Sequence, residues 1–225
     1  MSAKTLVMGA VAYDTKVVSI WDGFRTWLNE AGLPFDYVLY SHYERQVEDL
    51  AAGHIHAAWN SPLAAIRAER LARAGGGATR AVAMRDTDQD LTSLIVVRDN
   101  SGIGTLDDLR GRTIAVGAVD SPQATLLPLA HLADAGLSPG EDVTVRRFEV
   151  GVGLHGDHIG GERDGARALA AGEVDAACMI DANHLLFTKE GTLPPSTTIL
   201  AQTAAYDHCT MTVSDAAPDK LARRF

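Results

Sequence analysis

Short apolar, β-branched runs alternate along the chain with amphipathic segments that stop at glycine, and that alternation admits few folds. Residues 5–12 read as a strand. After Asp14, apolar side chains recur at Val17, Ile20, Trp21, Phe24, Trp27 and Leu28, a helical spacing that ends at Gly32 and predicts a core-facing stripe. Residues 35–40 make a second strand, 43–52 a helix stopped by Gly53, 55–59 a third strand, 62–74 a helix closed by Gly75 to Gly77, and 81–84 a fourth strand. Parallel strands need a crossover, usually a helix, so this order predicts mostly parallel sheet with helices on its faces.

A second sheet is expected from residue 91. A strand over 91–97 leads to a short helix capped by Thr105, and then to the most informative stretch, Gly111 to Gly136. Within it 113–116 is strand-like, Gly117 to Asp120 turns, Ser121 is an N-cap, Pro122 suits the first helical position and Gly136 closes the helix. Its first turn, with Ser121, Gln123, Ala124 and Thr125, directs amide and hydroxyl donors beyond the strand, where anions bind. Strands over 143–148 and 176–180, helices over 164–171 and 182–190, and a glycine-rich loop over 151–161 continue this half; strands over 198–203 and 209–213 are expected to return the chain to the first sheet. Leu50-Ala-Ala-Gly-His-Ile-His-Ala-Ala and Leu169-Ala-Ala-Gly-Glu-Val-Asp-Ala-Ala match in register, which suggests two related halves.

A formal net charge of −9 argues against nucleic acid and anionic membrane as partners. The N-terminal residues contain no apolar stretch long enough for an export signal or a membrane anchor, which predicts a cytoplasmic protein without membrane insertion. Cys178 and Cys209 are the only cysteines and are read as free thiols, although one disulfide stays open. Residues 218–225 read as the first turns of a helix.

The order of elements, the segment Gly53-His-Ile-His-Ala-Ala, Ser101-Gly-Ile with Thr105-Leu-Asp-Asp-Leu-Arg-Gly-Arg, the serine-led helix with Pro128, and Gly172-Glu-Val-Asp-Ala-Ala together resemble the phosphonate-binding proteins of ABC importers. These have the type 2 periplasmic-binding-protein fold. The resemblance implies an α/β fold of two lobes, residues 1–90 with 205–225 and residues 91–204, that holds a small phosphonate-, phosphate- or carboxylate-like molecule in an interlobe cleft. It implies importer subunits as partners if the protein is exported. Where the phosphonate binders have a Ser-Thr-Ser-Gly run, this chain has Ser121-Pro122-Gln123-Ala124, which points away from a simple phosphonate. Cytoplasmic relatives of the fold include enzymes, so a lyase, decarboxylase or hydrolase is the alternative.

On this frame, Ser121, Gln123, Ala124 and Thr125 are expected to hold the acidic group, with Tyr13, Asp14, Trp59, Asn60 and Ser61 from the first lobe and His155 and Asp181 from the second. Asp14, Asn60, Ser61 and Asp181 also suit plain helix capping. His155, Asp157 and His158 share a flexible loop and are the candidate ligands of a divalent metal; no cofactor is otherwise implied. His158 and His208 are the candidate acid–base residues of the enzyme alternative. Because neighbours on a strand face opposite ways, Cys209 is expected buried and His208 turned away from it.

Overall fold

A computed structural model describes residues 5–225; Met1–Lys4, where the N-terminal reading begins, lie outside the described residues. In chain order the elements are β1 (Leu6–Val11), α1 (Lys16–Glu30), β2 (Phe35–Tyr40), α2 (Tyr43–Ala51), β3 (Ala57–Asn60), α3 (Pro62–Ala74) and β4 (Thr79–Met84). They continue with β5 (Ser93–Arg98), β6 (Thr113–Val116), α4 (Leu127–Asp134), β7 (Thr144–Arg147), α5 (Gly160–Ala170), β8 (Ala176–Ile180) and α6 (Asp181–Lys189). β9 (Thr197–Gln202), β10 (Thr210–Ser214) and α7 (Asp219–Ala222) complete the chain. Two compact units result: Met1–Gln89 with Asp207–Phe225, and Asp90–Tyr206.

The first unit is built on a sheet of order β2-β1-β3-β10-β4. β1 runs parallel to β2 and β3, whereas β10 runs antiparallel to both β3 and β4. Leu6, Met8 and Ala10 put alternate side chains of β1 into a core shared with Val17 and Trp21 of α1 and with Met211 and Val213 of β10. The expected stripe on α1 is only half used. Val17, Trp21 and Leu28 are buried, but Ile20, Phe24 and Trp27 are 43%, 42% and 63% exposed. At 100° per residue the three buried side chains fall within about 40° of one another, while Ile20 and Trp27 sit roughly 100–120° round from Trp21, beyond the line the sheet covers.

The second unit repeats the plan, with sheet order β7-β6-β8-β5-β9. β6 is parallel to β7 and β8, and β5 is antiparallel to β8 and β9. Helices cover both faces, so alternate residues of one strand are buried on opposite sides. Leu94 and Val96 of β5 pack with Leu169 and Phe187, while Ile95 and Val97 pack with Leu109, Ile114 and Leu132. That two-sided burial is why these strands read as unbroken apolar runs.

The internal match falls on equivalent places in the two units. Gly53 and Gly172 both end a helix in the left-handed conformation, φ 74° and 76°, and feed the central strands β3 and β8. Both sheets are mixed, with the antiparallel partner supplied by β10 in one and β5 in the other. One expectation is corrected: β9 does not return to the first sheet but pairs with β5, and β10 alone makes that return.

Candidate functional site

In the second unit the polar groups gather where β6 and β8 end, the edge at which open α/β sheets bind ligands. β6 passes through Gly117 into a turn, and Ser121 caps the next segment by accepting from the Ala124 amide at 3.2 Å. Pro122–Leu126 form one wide turn of π-helix before α4 begins, a departure that concentrates at functional positions. Gly117 is required there, since a Cβ at that residue would meet the Ala124 Cβ at 2.8 Å. The start of this turn is buried, with Ser121, Gln123, Ala124 and Thr125 all less than 3% exposed, while Leu126 at its end is exposed.

The glycine-rich loop folds over this turn. Gln123 Nε2 donates to the Gly156 carbonyl at 2.7 Å, and Asp120 Oδ2 accepts from the Gly153 amide at 2.5 Å. His155 is fully buried at φ 49°, a conformation a non-glycine residue adopts only when its surroundings hold it there, and its Nε2 lies 4.0 Å from Asp120 Oδ2. Deeper in, Glu162 near the start of α5 accepts through Oε2 from the Ile180 amide at 3.0 Å and from Asn183 Nδ2 at 2.9 Å. Burial pushes its carboxyl up to about 7 despite these bonds and one from Gln123, all of which pull the other way.

Asp181, the first residue of α6, accepts from the Thr92 amide and hydroxyl at 3.1 and 2.9 Å and from the Ala182 amide at 2.7 Å. Three buried atoms here, Asp120 Oδ1, Thr125 Oγ1 and Glu162 Oε1, have no hydrogen-bond partner among the described residues. A buried polar atom left unpaired costs free energy that a bound group can return.

The metal candidates do not assemble. His158 is exposed, with its Nδ1 accepting from the Gly160 amide, and His155, Asp157 and His158 are not one of the side-chain groups that bring three ligand atoms within 4.8 Å among the described residues. Asp120, which the sequence reading took only as a turn residue, does belong to the edge. Asp120 carried one signal, its place directly before an N-cap.

The first unit has a polar edge of its own. Ser61 caps α3 by accepting from the Ala64 amide at 3.1 Å, and Asp14 accepts from the Lys16 amide at 2.9 Å, so both side chains serve as caps. Asn60 is buried and accepts from Gln46 Nε2 at 2.8 Å, while its Nδ2 has no partner among the described residues. Tyr13 and Trp59 are half-buried.

Near the end of this unit His208 and Cys209 come together, His208 Nδ1 lying 3.1 Å from Cys209 Sγ and 3.8 Å from Asp88 Oδ1. This corrects the expectation that they diverge. β10 begins only at Thr210, so the alternation of a strand does not apply to residues 208 and 209. Cys178 and Cys209 are both buried free thiols.

A family profile described as the periplasmic substrate-binding protein of the phosphonate ABC transporter matches residues 8–225. Among solved structures, XAC2383 from Xanthomonas citri bound to ATP superposes with a TM-score of 0.71 at 18% identity, covering 99% of this chain and 81% of its own. PhnD1 from Prochlorococcus marinus in complex with methylphosphonate gives 0.66 at 16% identity, with 98% and 81% covered. The periplasmic aliphatic sulphonate binding protein SsuA from Escherichia coli gives 0.61 at 19% identity, with 99% and 68% covered. At these identities the superpositions establish the fold. The periplasmic place of the matched family overturns the cytoplasmic expectation, which had rested on the N-terminal residues alone. No helix among the described residues is long and apolar enough to cross a membrane.

Proposed function

Because this chain belongs to the family of periplasmic substrate-binding proteins of phosphonate ABC transporters, we propose that it captures a small organic oxyacid that also carries an ammonium group, for delivery to importer subunits. The observation that carries this reading is the composition of the second unit's edge. A capped turn with spare donors stands beside two carboxylates, Asp120 and Asp181, with the buried Glu162 carboxyl deeper in, and the polar groups named at this edge include no lysine or arginine among the described residues. A plain dianion would meet uncompensated negative charge in a buried setting, where like charges are costly. An ammonium on the same molecule removes that conflict.

In this reading the turn at Ser121, Gln123, Ala124 and Thr125 receives the acid group, with Thr125 Oγ1 as a spare hydroxyl. Asp120 Oδ1 faces the ammonium, and Asp181 sets the negative field around it. His155, strained and packed near Asp120, holds the loop in register with the turn. Small-ligand capture by this family needs no cofactor, and no catalytic step is assigned to His158 or His208.

Calorimetric titration with matched pairs tests this: 2-aminoethylphosphonate against ethylphosphonate, and taurine against ethanesulfonate. The aminated member of a pair should bind at least about tenfold tighter, the difference one charge-assisted contact supplies. Equal affinity within both pairs would remove the ammonium, and no binding by any of the four would remove the oxyacid reading altogether.

A further inference from the structure

Among the described residues, Asp88, His208 and Cys209 form a buried cluster of three different metal-ligating side chains, with their donor atoms all within 4.8 Å of one another. All three belong to the first unit, Asp88 at the end of its leading segment and the other two at the start of its returning one. Local structure brings them together. Asp86–Asp88 form a short 3-10 turn, and the His208 amide donates to the Asp88 carbonyl at 2.8 Å. Because β10 begins only at Thr210, His208 and Cys209 escape the alternation of a strand and turn towards the same point.

The arrangement differs from a nucleophile relay, in which thiol and carboxylate take opposite ring nitrogens of the histidine. Here one nitrogen faces both, His208 Nδ1 lying 3.1 Å from Cys209 Sγ and 3.8 Å from Asp88 Oδ1. Zinc bonds of about 2.3 Å to sulfur and roughly 2.0–2.2 Å to nitrogen and oxygen, at tetrahedral angles, set ligand atoms about 3.3–3.7 Å apart. Shifts of roughly half an ångström in these two pairs reach that spacing. Thiolate and imidazole disfavour Mg²⁺ and Ca²⁺, which take oxygen ligands, and a mixed sulfur, nitrogen and oxygen set suits Zn²⁺.

Outer support is present as well. Arg85 Nε donates to Asp88 Oδ2 at 2.5 Å and Nη2 to Oδ1 at 2.8 Å, which fixes the carboxylate and leaves Oδ1 a second lone pair. About half of the Arg85 side chain is exposed, so one side chain separates the cluster from solvent.

We propose that Asp88, His208 and Cys209 bind one Zn²⁺, with water in the fourth position, and that the ion fixes the returning segment at its entry to β10. Binding through Nδ1 puts the imidazole proton on Nε2 and releases the Cys209 thiol proton to solvent. The site does not rest on the oxyacid reading, which gives none of the three a solute contact.

The reduced, metal-free full chain is titrated with Co²⁺, which replaces zinc and reports its ligands in absorption. One equivalent should give a thiolate-to-cobalt charge-transfer band in the near ultraviolet and strong tetrahedral bands in the visible. One equivalent of Zn²⁺ should erase both, and excess Mg²⁺ should leave them unchanged. Cys209→Ser should lose the charge-transfer band, Cys178→Ser should keep it, and Asp88→Asn or His208→Gln should weaken Co²⁺ binding at least about tenfold. Zn²⁺ should also raise the melting temperature of the wild type by several degrees but not that of Cys209→Ser. Wild-type protein decides the matter where a variant fails to fold: weak octahedral bands without charge transfer, or bound Zn²⁺ with no rise in melting temperature, overturn the site. A charge-transfer band retained in Cys209→Ser overturns it too, by assigning the thiolate elsewhere.

Discussion

Glu162 shows how one buried side chain can tie the site to the stability of its unit. An acid held neutral in the fold binds its proton more tightly there than in the unfolded chain, so the folded state carries the extra proton between the ordinary value near 4.5 and the raised value of about 7. The stability this contributes is complete below about pH 4.5 and is lost as pH rises through 7. Over that window the loss should be on the order of 3 kcal/mol, since each tenfold change in proton affinity is worth about 1.4 kcal/mol. Glu162→Gln keeps an oxygen for the Ile180 amide and Asn183 and cannot ionise, so its melting temperature should match the wild type near pH 4.5 and exceed it at pH 8. Melting curves of both proteins from pH 4 to 8 decide the point, and a constant gap between them would mean that Glu162 titrates normally. In the sequence Glu162 stands directly after the glycine-rich loop over 151–161, as one more polar residue. Its role escaped that reading because burial, which the local sequence does not encode, turns a loop carboxylate into a titrating group. Asp120 was passed over for a similar reason, its partner being the Gly153 amide from a loop distant in sequence.

Elements with one strong local signal are read correctly from sequence. Ser61-Pro62 at the start of α3, Ser121-Pro122 before α4, and the apolar runs of β6 and β8 each carry a cap or a short apolar run, and the structure places them at those residues. α1 is the counterexample, because periodicity gives the direction of its apolar face but not how much of that face the sheet covers. Two substitutions on one helix separate the cases. Trp21→Ala removes a buried ring that stacks edge-on with Trp59 at 6.2 Å and should cost about 3–5 kcal/mol. Trp27→Ser, at a position 63% exposed, should cost less than about 0.5 kcal/mol. Urea denaturation of the two variants measures both, and comparable losses would show that the outer face of α1 is covered in the folded protein. The wide turn at Pro122–Leu126 could not be read at all, since Ser-Pro predicts an ordinary helix start and the Gly156 carbonyl that Gln123 bonds comes from a loop distant in sequence.

The two sheets share strand order and strand sense, yet the chain supplies them differently, and folding should reveal the difference. All five strands of the second sheet come from the continuous stretch Asp90–Tyr206, with its own core on each face. The first sheet needs β10 from residues 210–214, inserted between β3 and β4. Without β10, β4 has no partner strand, and Met211 and Val213 leave a gap in the core beneath Trp21 and Met8. A strand that cannot pair and a core that cannot close leave backbone groups and apolar surface exposed together, which a small unit does not survive. A fragment of residues 90–206 should therefore fold alone, with a cooperative thermal transition and dispersed amide resonances. A fragment of residues 1–89 should not, and adding residues 207–225 through a short glycine–serine linker should restore its transition. Were residues 1–89 to melt cooperatively on their own, β10 would be a late addition to a finished sheet, and the matched strand orders of the two units would no longer reflect a shared requirement for five strands.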